Sequence, residues 1–122
     1  MMSSALRGRA RRLLVFVNDT DQVGRHSLYA EIVDEARRSG LAGATVLRAV
    51  EGFGVGGELH TTRLLSLTES LPMVILIIDD PDKIDAFLPR LDALMSEGMV
   101  AIDDVDVIEF VPDDEADQRA DP

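Results

Sequence analysis

The chain contains no cysteine, so it can form neither disulfides nor thiolate metal sites, and nothing points to an oxidising compartment. Tryptophan is absent too, tyrosine occurs once, and aromatics make up only 4% of the residues, so a core must be built from Leu, Val, Ile and Ala. No apolar run approaches the roughly 18 residues needed to span a bilayer. The stretch from Met1 to Arg12 has arginines but no apolar h-region, which does not fit a secretory signal. A cytoplasmic location is the resulting expectation. Histidine occurs only twice, with no His-x-x-x-His pair, so no zinc site is expected. Neither a Ser-His-Asp nor a Cys-His constellation is recognisable, and the chain is read as non-enzymatic.

The sequence does have acid. A net charge of −11 on 122 residues is unevenly spread. Arg7, Arg9, Arg11 and Arg12 make the first segment basic, and Pro112–Pro122 is acidic and has no large apolar residue after Val111. This predicts a flexible basic leader over 1–11, one folded domain over 12–111 and a disordered acidic tail over 112–122. An acidic body repels phosphate backbones, so nucleic acid is not an expected partner.

Local patterns place the elements. Leu13–Val17 is unbroken, apolar and β-rich, a buried strand ended by Asn18-Asp19-Thr20-Asp21. Ser27 is a candidate N-cap for a helix whose stripe is Leu28, Ile32, Val33 and Ala36, with Gly40 as its stop. Ala44–Val50 and Met73–Ile78 read as strands two and three. Asp80, Pro81 and Gly98 bracket a second helix with Ile84, Phe87, Leu88, Leu91, Leu94 and Met95 on one face and Pro89 interrupting it. Val105–Phe110 is the last strand. The order βαββαβ predicts an α+β, ferredoxin-like sandwich: an antiparallel four-stranded sheet with two helices on one face.

The strands are apolar on both parities: Leu14, Phe16, Ile75 and Ile77 on one, Val15, Val17, Val74, Leu76 and Ile78 on the other. Two helices on one face cannot cover both sets, and an uncovered apolar sheet face marks an interface. A homo-oligomer with sheets packed on each other is expected.

The remaining signal is Gly52-Phe53-Gly54-Val55-Gly56-Gly57, four glycines in six residues, followed by His60. Glycine lets a backbone or ligand approach closely, and the connection running on to Leu71-Pro72 is long for a compact domain unless it binds something. The segment lacks the Gly-Lys-Ser/Thr ending of a P-loop and does not enter a helix, so it is no triphosphate cradle. His26, before a helix, reads as a surface or capping residue. Asp79, Asp80 and Asp82 read as helix capping more readily than as a cation site, and Asp103, Asp104 and Asp106 as a solvated turn and strand edge.

This βαββαβ order, with Gly52-Phe53-Gly54 ending strand two and His60 after it, resembles the PII signalling proteins. A closer resemblance is to the small PII-like proteins of domain-of-unknown-function family one hundred and ninety. It is carried by Gly43–Arg48, Gly52-Phe53-Gly54, His60, Leu71-Pro72, Ile78-Asp79 and Phe87-Leu88-Pro89. The resemblance implies a homotrimer with intersubunit clefts, each floored by the base of a T-loop, with an adenine nucleotide as a candidate ligand. It also implies a protein target, such as a membrane transporter or another regulated protein. Gly52, Phe53, Gly54 and His60 fall at the loop base, with Arg48 and Arg63 as nearby cations. The pattern departs from PII proteins in its acidic connection Ser96–Asp104, which supplies no lysines for a triphosphate and leaves a monophosphate, a cyclic nucleotide or an uncharged adenine ligand. The alternatives are a metal-responsive trimer similar to the copper-tolerance proteins and an enzyme assembled at subunit clefts.

Overall fold

Strand pairing decides which of the two apolar sets is covered. The computed structural model describes residues 3–53, 59–61 and 71–112. Its elements are β1 (Ser3–Asn18), β2 (Gln22–Val23), β3 (His26–Ser27), α1 (Leu28–Arg38), β4 (Thr45–Arg48), β5 (Glu51–Phe53), β6 (Leu59–Thr61), β7 (Pro72–Asp79), α2 (Pro81–Leu94) and β8 (Met99–Pro112). Strands β4, β7, β1 and β8 form, in that spatial order, one antiparallel four-stranded sheet. With one helix in each half, this is the expected ferredoxin-like sandwich.

Antiparallel pairing sets Leu13 opposite Ile77, Val15 opposite Ile75 and Val17 opposite Met73. Paired residues project to the same side, and all six are at most 5% exposed. They pack with Leu28, Ile32 and Ala36 of α1 and Ile84, Phe87 and Leu91 of α2 in one core. Each such burial contributes about 1.5–3 kcal/mol against leaving the side chain in water. The other side carries Leu14 opposite Leu76 and Phe16 opposite Val74, with Leu47 and Met99 paired alongside from β4 and β8. Both apolar faces therefore exist, but their membership differs from the grouping by position number. Ile75 and Ile77 belong with Val15, not with Leu14, because the register matches odd residues of β1 to odd residues of β7.

The helix boundaries follow local chemistry. Ser27 stands at the N-cap of α1 with extended backbone, but its hydroxyl makes no capping bond. At the other end the Gly40 N–H donates to the Arg37 carbonyl and the Leu41 N–H to the Ala36 carbonyl, a Schellman closure with Gly40 at φ +80°. Helix α2 runs through Pro89 and ends at Leu94, earlier than the expected stop at Gly98. Gly98 instead turns the chain into β8 at φ +125°, where an added Cβ would lie 2.5 Å from the Phe16 carbonyl oxygen.

Strands β1 and β8 are longer than their apolar runs. Pairing extends from Phe16–Met99 out to Ser3–Pro112, whereas β7 reaches only Arg11. Residues 3–10 and 105–112 thus form a two-stranded ribbon beyond the sheet, about 25 Å long at strand rise. Residues read from sequence as a basic leader and as a solvated turn and strand edge are paired strand throughout, facing one another. Arg9 meets Asp106 at 3.3 Å, Arg11 meets Asp104 at 2.7 Å, and Arg12 meets Asp103 at 2.6 Å. The connection read as Ser96–Asp104 is correspondingly shorter, since β8 begins at Met99. The tail from 113 on lies outside the described residues.

Candidate functional site

One end of the sheet is stitched by a single carboxylate. Asp19 follows the last residue of β1, and its N–H donates to the Leu71 carbonyl at 2.9 Å. The Leu71 N–H donates back to Asp19 Oδ1 at 3.0 Å, and Arg48 Nη1 donates to Asp19 Oδ2 at 2.7 Å. The Ala49 N–H donates to the Pro72 carbonyl at 2.9 Å. The chain therefore leaves the sheet at Arg48-Ala49 and returns at Leu71-Pro72 beside the same acid. Asp21 stiffens the turn from below, its Oδ2 accepting the Asn18 N–H at 2.9 Å. The Arg48 side chain is half exposed, and that of Asp19 is mostly covered.

Between those two points the backbone makes a small antiparallel hairpin, β5 with β6, which places Gly52 opposite His60 and Phe53 opposite Leu59. The sequence alone presents this stretch as one irregular loop. Three of its candidate site residues, Gly52, Phe53 and His60, are thus brought together by backbone pairing, and Arg48 lies just before their hairpin. Gly54 and Arg63, the other two candidates, lie outside the described residues. Asp19 is not among the candidates from sequence. Its signal there is only that of a strand-ending acid, because the pairing that brings Arg48 and Leu71 to it is long-range.

The other polar groups singled out from sequence sit elsewhere. Asp79, at the opposite end of β7, accepts the Ala42 N–H through Oδ2 at 2.9 Å and the Asp80 N–H through Oδ1 at 2.7 Å. It ties the α1–β4 connection to the start of α2, while Asp80, the expected side-chain cap, makes no capping bond. His26 Nδ1 stands 4.0 Å from Glu31 Oε1 on the surface. Among the described residues no three His, Asp or Glu side chains converge as a metal set. No helix among them is long and apolar enough to cross a membrane. A recess of about 430 Å³ lies at the Asp79 end, lined by Arg7, Arg9, Ile78, Asp80 and Glu109 among others. It is separated from Arg48 by the length of β7.

Sheet order, helix placement and the hairpin leaving the sheet after β4 make up a PII-like fold. The chain resembles CPII, a nitrogen regulatory PII-like protein from Thiomonas intermedia K12 whose structure is bound to ADP, AMP and bicarbonate. The TM-score is 0.57 at 17% identity, over 84% of this chain and 91% of that one. It is similarly related to a PII-like signaling protein of Thermus thermophilus, with a TM-score of 0.55 and 18% identity over 90% and 96% of the two chains. At the level of sequence the chain belongs to the DUF190 family, described as uncharacterized ACR, COG1993, whose model matches residues 10–107. A UPF0166 protein of Aquifex aeolicus is 33% identical over 100 residues, which are 82% of this chain and 94% of the relative. A UPF0166 protein of Methanocaldococcus jannaschii is 28% identical over 81% of this chain and 92% of its own.

Proposed function

We propose that this chain is a PII-like regulatory protein. It works as a homotrimer that takes a small anionic ligand, an adenine nucleotide in the first instance, into clefts between subunits, and it reports occupancy to a protein target through the segment between Arg48 and Leu71. The observation that carries this reading is the juxtaposition of a half-exposed Arg48 with the Gly52–His60 hairpin at one end of a sheet whose other apolar face is uncovered. Packing three such faces together buries that apolar surface and makes a recess beside each hairpin. The nucleotides bound by CPII support an adenine ligand for a chain of this fold.

In this reading Arg48 supplies positive charge to a phosphate, His60 a hydrogen bond, and Gly52 with Gly54 close backbone approach. Phe53 offers an apolar surface, and Arg63 a second cation. A membrane transporter is one class of target.

Light scattering on the purified full chain should return a mass of three copies. Calorimetric titration with AMP, ADP, ATP and cyclic AMP should find a ligand whose affinity falls about tenfold or more in Arg48→Gln, the loss of one charge-assisted contact. A monomer at high concentration, or nucleotide affinity indifferent to Arg48, would refute the proposal. Divalent metals in the same titration test the copper-tolerance alternative. Metal uptake that depends on His60, without nucleotide binding, would favour it.

A further inference from the structure

Asp19 holds two things at once: the guanidinium of Arg48 through Oδ2 at 2.7 Å, and the backbone return at Leu71 through Oδ1 at 3.0 Å. We propose that Asp19 is a built-in competitor for Arg48, so that an anion which takes the arginine also loosens the Leu71 return. This rests on the reading of Arg48 as the ligand's cation.

Exposure, burial, connectivity and charge carry it. The Arg48 side chain is 50% exposed, and an ion pair that open to water is weak enough for a dianionic phosphate to displace. Asp19 is only 19% exposed, so it cannot follow the arginine outward, and the pair must break if Arg48 turns to a ligand. Held in place, the carboxylate can answer the loss of its counter-ion only by rotating about χ2, so that the freed oxygen reaches the water its partial exposure admits. That rotation takes Oδ1 off the line to the Leu71 N–H. The entry and exit of segment 49–71 are cross-linked by Asp19 and by the Ala49-to-Pro72 bond, so loss of one tie falls where the chain re-enters the sheet. The chain's net charge of −11 adds weight, because one more carboxylate beside the anchoring cation raises the cost of bringing in an anion.

The test uses the full chain, with AMP as probe and adenosine as its uncharged control. Asp19→Asn keeps an oxygen for the Leu71 N–H and removes both the charge and the acceptor that hold Arg48. It should bind AMP roughly threefold to fivefold tighter than the unmodified chain, the range set by an exposed ion pair, and adenosine equally well. Damage to the fold would weaken both ligands, so a gain confined to AMP is not a structural side effect. Asp19→Glu, which keeps the charge, should stay close to the unmodified affinity. Amide hydrogen exchange supplies the second readout: AMP should speed exchange at Leu71 in the unmodified chain and leave it unchanged in Asp19→Asn. Equal or weaker AMP binding by Asp19→Asn, or the same gain in Asp19→Glu, overturns the proposal. If no variant binds AMP, the ligand reading fails by itself. The clasp is then judged without ligand: faster Leu71 exchange in Arg48→Gln supports it, and unchanged exchange ends it.

Discussion

Ile75 and Leu76 are neighbours in β7 with the same number of side-chain atoms, yet one is sealed and the other half-buried. Ile75 points at the two helices together with Val15, while Leu76 points with Leu14 to the uncovered side. The same contrast repeats along the sheet. Leu13, Val15 and Ile77 are closed off, whereas Leu47 and Met99 on the other side are 51% and 56% exposed. Residue chemistry barely differs between the faces; what differs is what each chain has available to lay over them. Apolar side chains on the unhelical face cost solubility in a lone chain, and their retention is understandable if a second copy covers them.

The largest effect should come from the helix side. Ile75→Ala removes a fully buried side chain from a close-packed core, and it should lower unfolding stability by about 2–5 kcal/mol in urea titration at any protein concentration. A loss under about 1 kcal/mol would mean that the two faces are less distinct than their burial suggests.

Gly98 comes next, where the sheet and the end of α2 meet. An alanine Cβ there would press on the Phe16 carbonyl and on Met95 Cε, 2.9 Å away, from a backbone conformation with φ +125°. The backbone oxygen cannot step aside as a side chain can, so Gly98→Ala should cost about 1–3 kcal/mol, measured the same way. Thermal stability equal to the unmodified protein would show that the β8 entry adjusts freely.

Leu76→Ala should do less to a single chain, about 1 kcal/mol or below, because its site is already part-exposed. Its effect should grow with protein concentration, as the variant loses contacts made only between copies, and should appear in light scattering as a higher concentration for assembly. Equal assembly by Leu76→Ala and the unmodified chain would remove the open face from the interface.

Much of this contrast was legible in the sequence, and the reasons for the rest are physical. Leu13–Val17, the α1 stripe and the Asp80-Pro81 start of α2 follow from periodicity and caps, which are local. That the strands are apolar on both parities was also readable. Which residues share a face was not, because pairing Val15 with Ile75 depends on register between segments some sixty residues apart. The ribbon failed for a related reason. Arg9, Arg11 and Arg12 look like a solvated leader until Asp106, Asp104 and Asp103 stand opposite them. At the site, Gly52, Phe53, His60 and Arg48 carried compositional or motif signals, whereas Asp19 had only its place after a strand. Its partners come from two other segments, so only the fold reveals it.

The base of the ribbon, where β1 still pairs with the end of β7, offers the finest version of the two-face comparison. Arg11 and Arg12 are neighbours in β1, and alternation sends them to opposite sides. Arg11 faces the helices, donating from Nε to Asp104 and from Nη1 to Asp85 of α2, both at 2.7 Å, and its side chain is 25% exposed. Arg12 lies on the open side against Asp103 alone and is 40% exposed. Arg11→Ala should therefore loosen both the ribbon and the seating of α2, while Arg12→Ala should loosen only the ribbon and by less. The acids set the pH dependence. Hydrogen bonds from Arg12 and Arg11 hold Asp103 and Asp104 below the ordinary carboxylate value of 3.8, against a smaller opposing push from desolvation. A depressed carboxylate contributes stability that is present above its unfolded value and lost as pH falls through its folded one. Amide protection over 105–111, taken relative to the unfolded exchange rate at each pH, should thus be insensitive to these pairs from pH 5 to 8 and should fall below about pH 3.8, with the response reduced in Asp103→Asn and reduced further when Asp104→Asn is added. Protection at pH 3 equal to that at pH 5 would mean that backbone pairing alone holds the ribbon and that the arginine ladder contributes nothing to it.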